Sequence, residues 1–301
     1  MKRHPRRAVP LLTLGLGIAL GTFSVTAGGS FETVPTAVTA TYDFRTETVT
    51  TDSVSVAYIG SYGVGFSAGG SANYDQREMI GPGGQTLNYQ VVDSVGSGVV
   101  VKDIDGDATG SGLLTGRVLG TVSEAFDLVV PPGQLVSPGQ YNDQLIATLY
   151  FDPGGQNRVD DTAAMGVTVS VPPYVAVRVV APGGTYEGGA ENARINFGTL
   201  APGARQEIEL LVRANVNYSV ALDSINAGTM ANLAAADTIP YRLEVDNVER
   251  VLSSGTTVVA DGMGPTDLSG EPYRLAFEIG DTIGAASGTY QDVLTVTVTA
   301  Q

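Results

Sequence analysis

The sequence contains no cysteine and no tryptophan, and its one histidine is His4. Without cysteine there is no thiolate nucleophile, no zinc–sulfur site and no disulfide. With histidine confined to position 4, the rest of the chain has no imidazole base for a Ser-His-Asp triad and no histidine metal ligand. Lysine is nearly absent too, and beyond residue 27 only Lys102 remains. Four of the 16 Lys and Arg lie within residues 1–27 and none of the 31 Asp and Glu, so beyond that point 12 basic residues face 31 acidic ones, a formal net charge of −19. Phosphate backbones are gripped by clustered Lys and Arg, so nucleic acid is excluded as a partner. Among 31 acids some carboxylate pairs must fall close together by chance, and no motif singles one out for glycoside hydrolysis. Composition therefore argues against an enzyme, and nothing in it calls for a cofactor.

The chain begins with a basic head, Lys2, Arg3, Arg6 and Arg7, followed by an apolar run from Val9 to Leu20 and the small residues of Val25-Thr26-Ala27. This order predicts a secretory signal peptide over residues 1–27. The apolar run falls short of the ~20 residues needed to span a bilayer. The remainder is expected to be exported, and without disulfides it must hold together through its core and its strand pairing.

Beyond residue 27 the texture is one of short Val-, Thr- and Tyr-rich runs, such as Thr48–Tyr58, Gln144–Phe151, Tyr174–Val180, Gln206–Arg213 and Asp292–Ala300, many alternating apolar and polar residues. Pro82-Gly83-Gly84, Pro153-Gly154-Gly155 and Pro182-Gly183-Gly184 punctuate them as turns. No window has a sustained helical period; residues 228–237 (GTMANLAAAD) would supply one short helical turn at most. The expectation is an all-β chain of two immunoglobulin-like β-sandwich domains in tandem.

The chain echoes itself. Gly139, Tyr141, Asp143, Leu145 and Thr148 reappear as Gly288, Tyr290, Asp292, Leu294 and Thr297, and Tyr62, Met79 and Tyr89 as Tyr218, Met230 and Tyr241. Two homologous domains are predicted, residues 28–172 and 173–301, with Pro172-Pro173 as the seam because neither proline can donate to a ladder. Asp103-Ile104-Asp105-Gly106-Asp107 superficially suits a hard cation, but it lacks the glycine offset and closing glutamate of a calcium loop and reads as a solvated turn.

The block Gly288-Thr289-Tyr290-Gln291-Asp292-Val293-Leu294 opens a strand in which Leu294, Val296 and Val298 share one face. Gly288 permits the turn before it, and Tyr290 can bond its hydroxyl locally as a corner tyrosine does. This block, with INFGTLAPG (195–203), NYSVALDS (217–224) and IPYRLEVD (239–246), resembles the spore coat protein U family, which includes the subunits of archaic chaperone–usher pili. The resemblance spans the second domain nearly end to end. It extends more loosely to the first through GVGFSAGG (63–70), REM (77–79), LNYQVVD (87–93) and PGQYNDQL (138–145). The cysteine pair that family members commonly carry in their first strands is missing.

What the resemblance implies is a pilin fold lacking its last strand, completed first by a periplasmic pilus chaperone and then by a donor strand from a neighbouring pilin, with export through an outer-membrane usher to a surface pilus. Within such a scheme Val175, Val177, Val179, Leu210, Val212, Leu294, Val296 and Val298 are expected to line the acceptor groove of the C-terminal domain. Gly288, Tyr290, Asp292 and Leu294 are the family motif. The run Met165–Val171, with Met165, Val167, Val169 and Val171 alternating against small polar residues, has the shape of a donor strand for the first domain, placed after a polar loop over 152–162. Room for one strand, around Thr33–Phe44, precedes the first domain's other strands. A self-completed first domain before an accepting second one is the plan of a two-domain tip adhesin, which would meet a surface or receptor. Loops carrying Leu113, Leu114, Leu135 and Val136 are expected to expose apolar tips to it. The competing readings are a non-tip pilin and an exported β-sandwich binding protein with no role in a fibre.

Overall fold

The structure, a computed structural model, describes residues 27–301; the expected signal peptide falls almost wholly outside them. The described chain is β-structure and connections, with eighteen strands and one short 3₁₀ turn at Pro82–Gly84. No helix among the described residues is long and apolar enough to cross a membrane.

The first eight strands are β1 (Gly28–Thr33), β2 (Ala37–Thr41), β3 (Thr48–Phe66), β4 (Arg77–Ile80), β5 (Thr86–Val92), β6 (Leu114–Val130), β7 (Gly139–Phe151) and β8 (Arg158–Val171). They form one sheet in the order β1-β3-β6-β5-β4-β7-β8-β2, and a further β3–β7 pairing bends it back on itself. Two long strands make this possible. β3 and β6, of 19 and 17 residues, pair from Thr48↔Val130 to Val64↔Leu114. Inside lies one core that includes Tyr62, Phe66, Met79, Leu87, Phe126, Tyr141 and Leu145.

The other ten are β9 (Val175–Val180), β10 (Arg205–Ala214), β11 (Tyr218–Ser224), β12 (Thr229–Asn232), β13 (Thr238–Val245), β14 (Val248–Arg250), β15 (Thr257–Gly262), β16 (Glu271–Ile279), β17 (Tyr290–Gln291) and β18 (Leu294–Ala300). Here two sheets face each other. One runs β17-β12-β13-β16-β10-β9 with β14 on β13, and the other runs β15-β11-β18. A separate core, with Leu210, Val212, Tyr218, Leu222, Leu243 and Phe277, lies between them. Pro172 and Pro173 fall between β8 and β9. Asn215 clamps that junction, accepting from the Tyr174 N–H at 2.6 Å and donating to the Pro172 carbonyl at 3.0 Å.

The echo in sequence is an echo in register. Tyr62 lies opposite Phe151 across β3–β7, and Tyr218 opposite Ala300 across β11–β18. Met79 lies opposite Leu87, and Met230 opposite Ile239. Val91 lies opposite Leu128, and Leu243 opposite Phe277. Each second-domain pair sits at the place that the repeat offsets dictate. β9 therefore stands for β1, β10 and β11 together for β3, β12 for β4, β13 for β5, β15 and β16 for β6, and β17 and β18 for β7.

Several local expectations need correcting. Residues 228–237 form β12 and a bend rather than a helical turn, because Met230 enters a small core with Ile239 and Ile279. The polar loop expected over 152–162 is shorter. β8 already begins at Arg158, where Asp160 and Asp161 are held by the Tyr58 hydroxyl and the Phe31 N–H. The single N-terminal strand expected around Thr33–Phe44 is two short strands, one on β3 and one on β8.

Candidate strand-acceptor groove

The motif residues do structural work first. Gly139 and Gly288 hold φ at 141° and 159°, backbone that a residue with a Cβ adopts poorly. The tyrosines that follow bond back four residues: Tyr141 donates to the Ser137 carbonyl at 2.8 Å and Tyr290 to the Ala286 carbonyl at 2.7 Å. Each aspartate then ties its strand to a neighbour. Asp143 accepts the Tyr89 hydroxyl at 2.6 Å, and Asp292 accepts the Tyr241 hydroxyl at the same 2.6 Å. Asp292 also accepts from Ser224 Oγ at 2.6 Å and from the Asn226 and Val293 N–H groups. Burial and the negative partner both disfavour the phenolate, so the Tyr89 and Tyr241 hydroxyls titrate well above an ordinary tyrosine.

After the aspartate the two domains part company. In the first, β7 continues between two partners, with β3 on one side and β8 on the other. Leu145 lies opposite Met165, Asp143 opposite Val167 and Tyr141 opposite Val169. Met165, Val167, Val169 and Val171 are all buried in the core, and Leu145 is 0% exposed. β8 carries β2 on its far edge, in parallel. The second domain has no counterpart of β8 among the described residues. β18 pairs with β11 along one edge, from Tyr218↔Ala300 to Ser224↔Leu294, and with nothing along the other. β9 is likewise an edge strand, paired with β10 from Glu209↔Val180 to Ala214↔Val175, its free side touched only by a bridge from Val179 to Ala190.

The expected groove residues fall on the walls of this gap. Val175, Val177 and Val179 from β9, and Leu294, Val296 and Val298 from β18, all border the second core while remaining partly exposed. Leu210 and Val212 are fully buried behind them and form the floor. Between them lies an apolar trough whose β9 and β18 edges carry backbone N–H and C=O groups without a regular ladder partner among the described residues.

The expected adhesive tips are a correction. Leu113 and Leu114 are buried, not exposed. Gly63 and Gly65 on β3 leave a slot that Leu113 fills, and a Cβ on either would come within 3 Å of its methyls. Leu114 opens β6 and joins the first core. Val136 packs half-buried against that core, and Leu135 is half-buried. In the aspartate turn, Asp103 Oδ1 accepts the Tyr74 hydroxyl at 2.5 Å and the Asp105 N–H at 3.0 Å. Asp107 accepts Ser111, Thr109 and Gly112, and the two hydroxyls hold its carboxyl well below the usual range. No group of three potential ligands converges among the described residues.

No family model matches the chain, and no curated protein sequence does. Among solved structures it is similar to a chain of the CsuC–CsuE chaperone–tip adhesion subunit pre-assembly complex from the archaic chaperone–usher Csu pili of Acinetobacter baumannii. The identity is 14%, covering 90% of this chain and 98% of that one at a TM-score of 0.47. It is similar to CfaE, the adhesive subunit of CFA/I fimbria of enterotoxigenic Escherichia coli, at 11% identity over 89% and 93% of the chains and a TM-score of 0.37. It is also similar to the CupB6 tip adhesin of Pseudomonas aeruginosa, at 9% identity over 85% and 88% and a TM-score of 0.31.

Proposed function

We propose that the chain is an adhesive subunit of a chaperone–usher surface pilus, standing at the fibre tip, and that its C-terminal domain is completed by a β-strand from another polypeptide. The observation that carries this reading is the contrast between Leu145 and Leu294. They are the same residue of the internal repeat, sealed by Met165 of β8 in one domain and bordering an open trough in the other. An incoming strand would supply backbone partners to the β9 and β18 edges and alternate apolar side chains to the trough, which is strand addition. During export the filler is a periplasmic pilus chaperone; after passage through an outer-membrane usher it is the donor strand of the next pilin. The first domain, whose own β8 occupies the corresponding place, is the part left to meet a surface or receptor. A tip role follows from one domain that needs no donor joined to one that does. Its chemistry is recognition and assembly, not catalysis.

The reading is tested by exporting the full chain to the periplasm with and without a pilus chaperone. Expected is a soluble one-to-one complex with the chaperone, and aggregation or proteolysis without it. A chain that accumulates alone as a stable monomer and binds no donor peptide overturns the proposal.

A further inference from the structure

β1 is an edge strand, paired with β3 from Gly28↔Ile59 to Thr33↔Ser55 and in regular ladder with no other strand. It also lies beside the start of β8, and side chains make that connection. The Phe31 N–H donates to Asp161 Oδ2 at 2.9 Å. Three residues earlier, Gly28 meets Asp160, whose side chain is only 8% exposed. Asp160 Oδ1 holds the Arg158 guanidinium, 2.9 Å from Nε and 2.8 Å from Nη2. Its Oδ2 accepts the Tyr58 hydroxyl at 2.7 Å and is turned toward Gly28. A Cβ on Gly28 would lie 3.1 Å from that Oδ2 and 3.5 Å from Arg158 Nη2, so only glycine lets the strand come this close without displacing them. The α-nitrogen of Gly28 is ~2.5 Å from the same Cβ position and is therefore within about 6 Å of the carboxylate. Two carboxylates, Asp160 and Asp161, thus share one half-exposed guanidinium at the place where β1 begins.

We infer that the chain is cut between Ala27 and Gly28 during export, and that the α-ammonium so created pairs with Asp160 and pins the first residue of β1 to the start of β8. Val25 and Ala27 are small residues at the positions such a cut requires. Hydrolysis by a signal peptidase breaks the Ala27–Gly28 C–N bond; water leaves Ala27 a carboxylate and Gly28 an amine, which is protonated below about pH 8. Before the cut, Gly28 offers this carboxylate a neutral amide. After it, a cation stands within the ~4–6 Å over which an opposite charge favours the ionised form. The groups facing it are Asp160, Asp161 and Arg158 of β8 and Tyr58 of β3, whose phenol burial raises well above this range. The folded amine holds its proton more tightly than the unfolded one. The stabilisation is therefore complete below the unfolded value of about 7.7–8.0 and is lost as pH rises through the folded value. The inference rests on export of the chain and not on the acceptor groove, so its failure leaves the groove reading standing.

The full chain, exported to the periplasm and purified, gives the first readout in its intact mass. Expected is a first residue of Gly28, and any other start overturns the inference. From Gly28 onward the chain has only two amines, its terminus and Lys102 Nζ. Isotope-labelled reductive methylation therefore yields two resonances, with Lys102 as the internal reference. The terminal amine is expected to be an acid about tenfold weaker than a free peptide terminus. Asp160→Asn keeps an acceptor for Tyr58 and should return the amine to the ordinary range. The unfolding midpoint of the parent chain should fall between about pH 8 and 9.5, below the tyrosine range, and that of Asp160→Asn should not. A terminal amine that titrates alike in both chains overturns the inference. A second variant leaves Asp160 in place and inserts one serine between Ala27 and Gly28, its start checked by mass. Moving the amine one residue outward is expected to abolish the raised titration, and its retention overturns the pairing.

Discussion

Tyr241 and Asp292 lie 51 residues apart in the chain yet meet at 2.6 Å, hydroxyl to carboxylate, on the boundary between the two sheets of the second domain. The bond joins β13 to the point where the chain leaves β17 for β18, so it holds one wall of the trough in place. Tyr89 and Asp143 make the same bond in the first domain. Asp292→Ala would strand the Tyr241 hydroxyl and three further donors, at an expected cost of about 1–3 kcal/mol. Tyr241→Phe leaves the aspartate its other donors and is expected to cost about 1 kcal/mol. Denaturant unfolding of the two variants checks both, and equal costs would mean that the aspartate's other donors contribute nothing.

The Leu145–Leu294 asymmetry predicts unequal truncation costs. Leu145→Ala or Met165→Ala removes a fully buried side chain and is expected to cost about 2–5 kcal/mol. Leu294→Ala, at a half-open site, should cost distinctly less in the free chain. That cost should rise once the trough is filled by a donor peptide or a chaperone. Thermal or denaturant unfolding of each variant, with and without the filler, measures the difference. The same penalty for Leu294→Ala in both states would contradict an open trough.

Arg77 is fully buried without a carboxylate against it. Its guanidinium donates to the carbonyls of Phe66, Ser67 and Val101 and to Gln90 Oε1, and lies over the ring of Tyr74. The register position that matches it in the second domain is Gly228, whose carbonyl accepts the Tyr241 N–H. Arg77→Met would orphan several buried carbonyls at once and is expected to cost about 3 kcal/mol or more. Arg77→Lys should recover only part, since an ammonium cannot reproduce the planar fork. Amide exchange should assign the loss to residues 28–171 and leave 175–300 unchanged.

Alkaline pH is the vulnerable side for the tyrosines. Burial, reinforced by hydrogen-bonded neighbours, raises the phenols of Tyr58, Tyr62, Tyr89, Tyr218 and Tyr241 above their ordinary value. A raised folded-state value favours the protonated, folded form. The stabilisation is therefore complete below the unfolded value of about 10 and is lost as pH climbs through the folded values. Unfolding midpoints should fall above about pH 10, with phenolate absorbance rising together with loss of β-structure. A gradual phenolate titration with the fold intact would contradict the burial of these hydroxyls.

Much of the second domain could be read from pattern. Its runs at 174–180, 206–213, 241–246 and 274–279 are strands because their alternation matches a half-buried sheet, and the motif at 288–294 marks a turn and a sheet crossing through residue types suited to both. β6 is less legible in the sequence. Leu114, Val118, Val122, Phe126, Leu128 and Val130 alternate along it, but Gly116 and Gly120 look like turn formers. Gly116 is there because the ring of Tyr62 lies against it, a contact made across β3 and invisible locally. The same limit applies to Leu113, whose burial depends on two glycines about fifty residues earlier in the chain.

By itself the sequence determined the all-β character, the tandem repeat and the alternating pattern of the segment that became β8, since these follow from side-chain periodicity and turn chemistry along the chain. Only the tertiary structure decided which strands have partners on both edges. Edge or interior status depends on what lies beside a strand in space: Leu145 and Leu294 carry the same local code, and β8 covers one while the described chain leaves the other bordering an open trough.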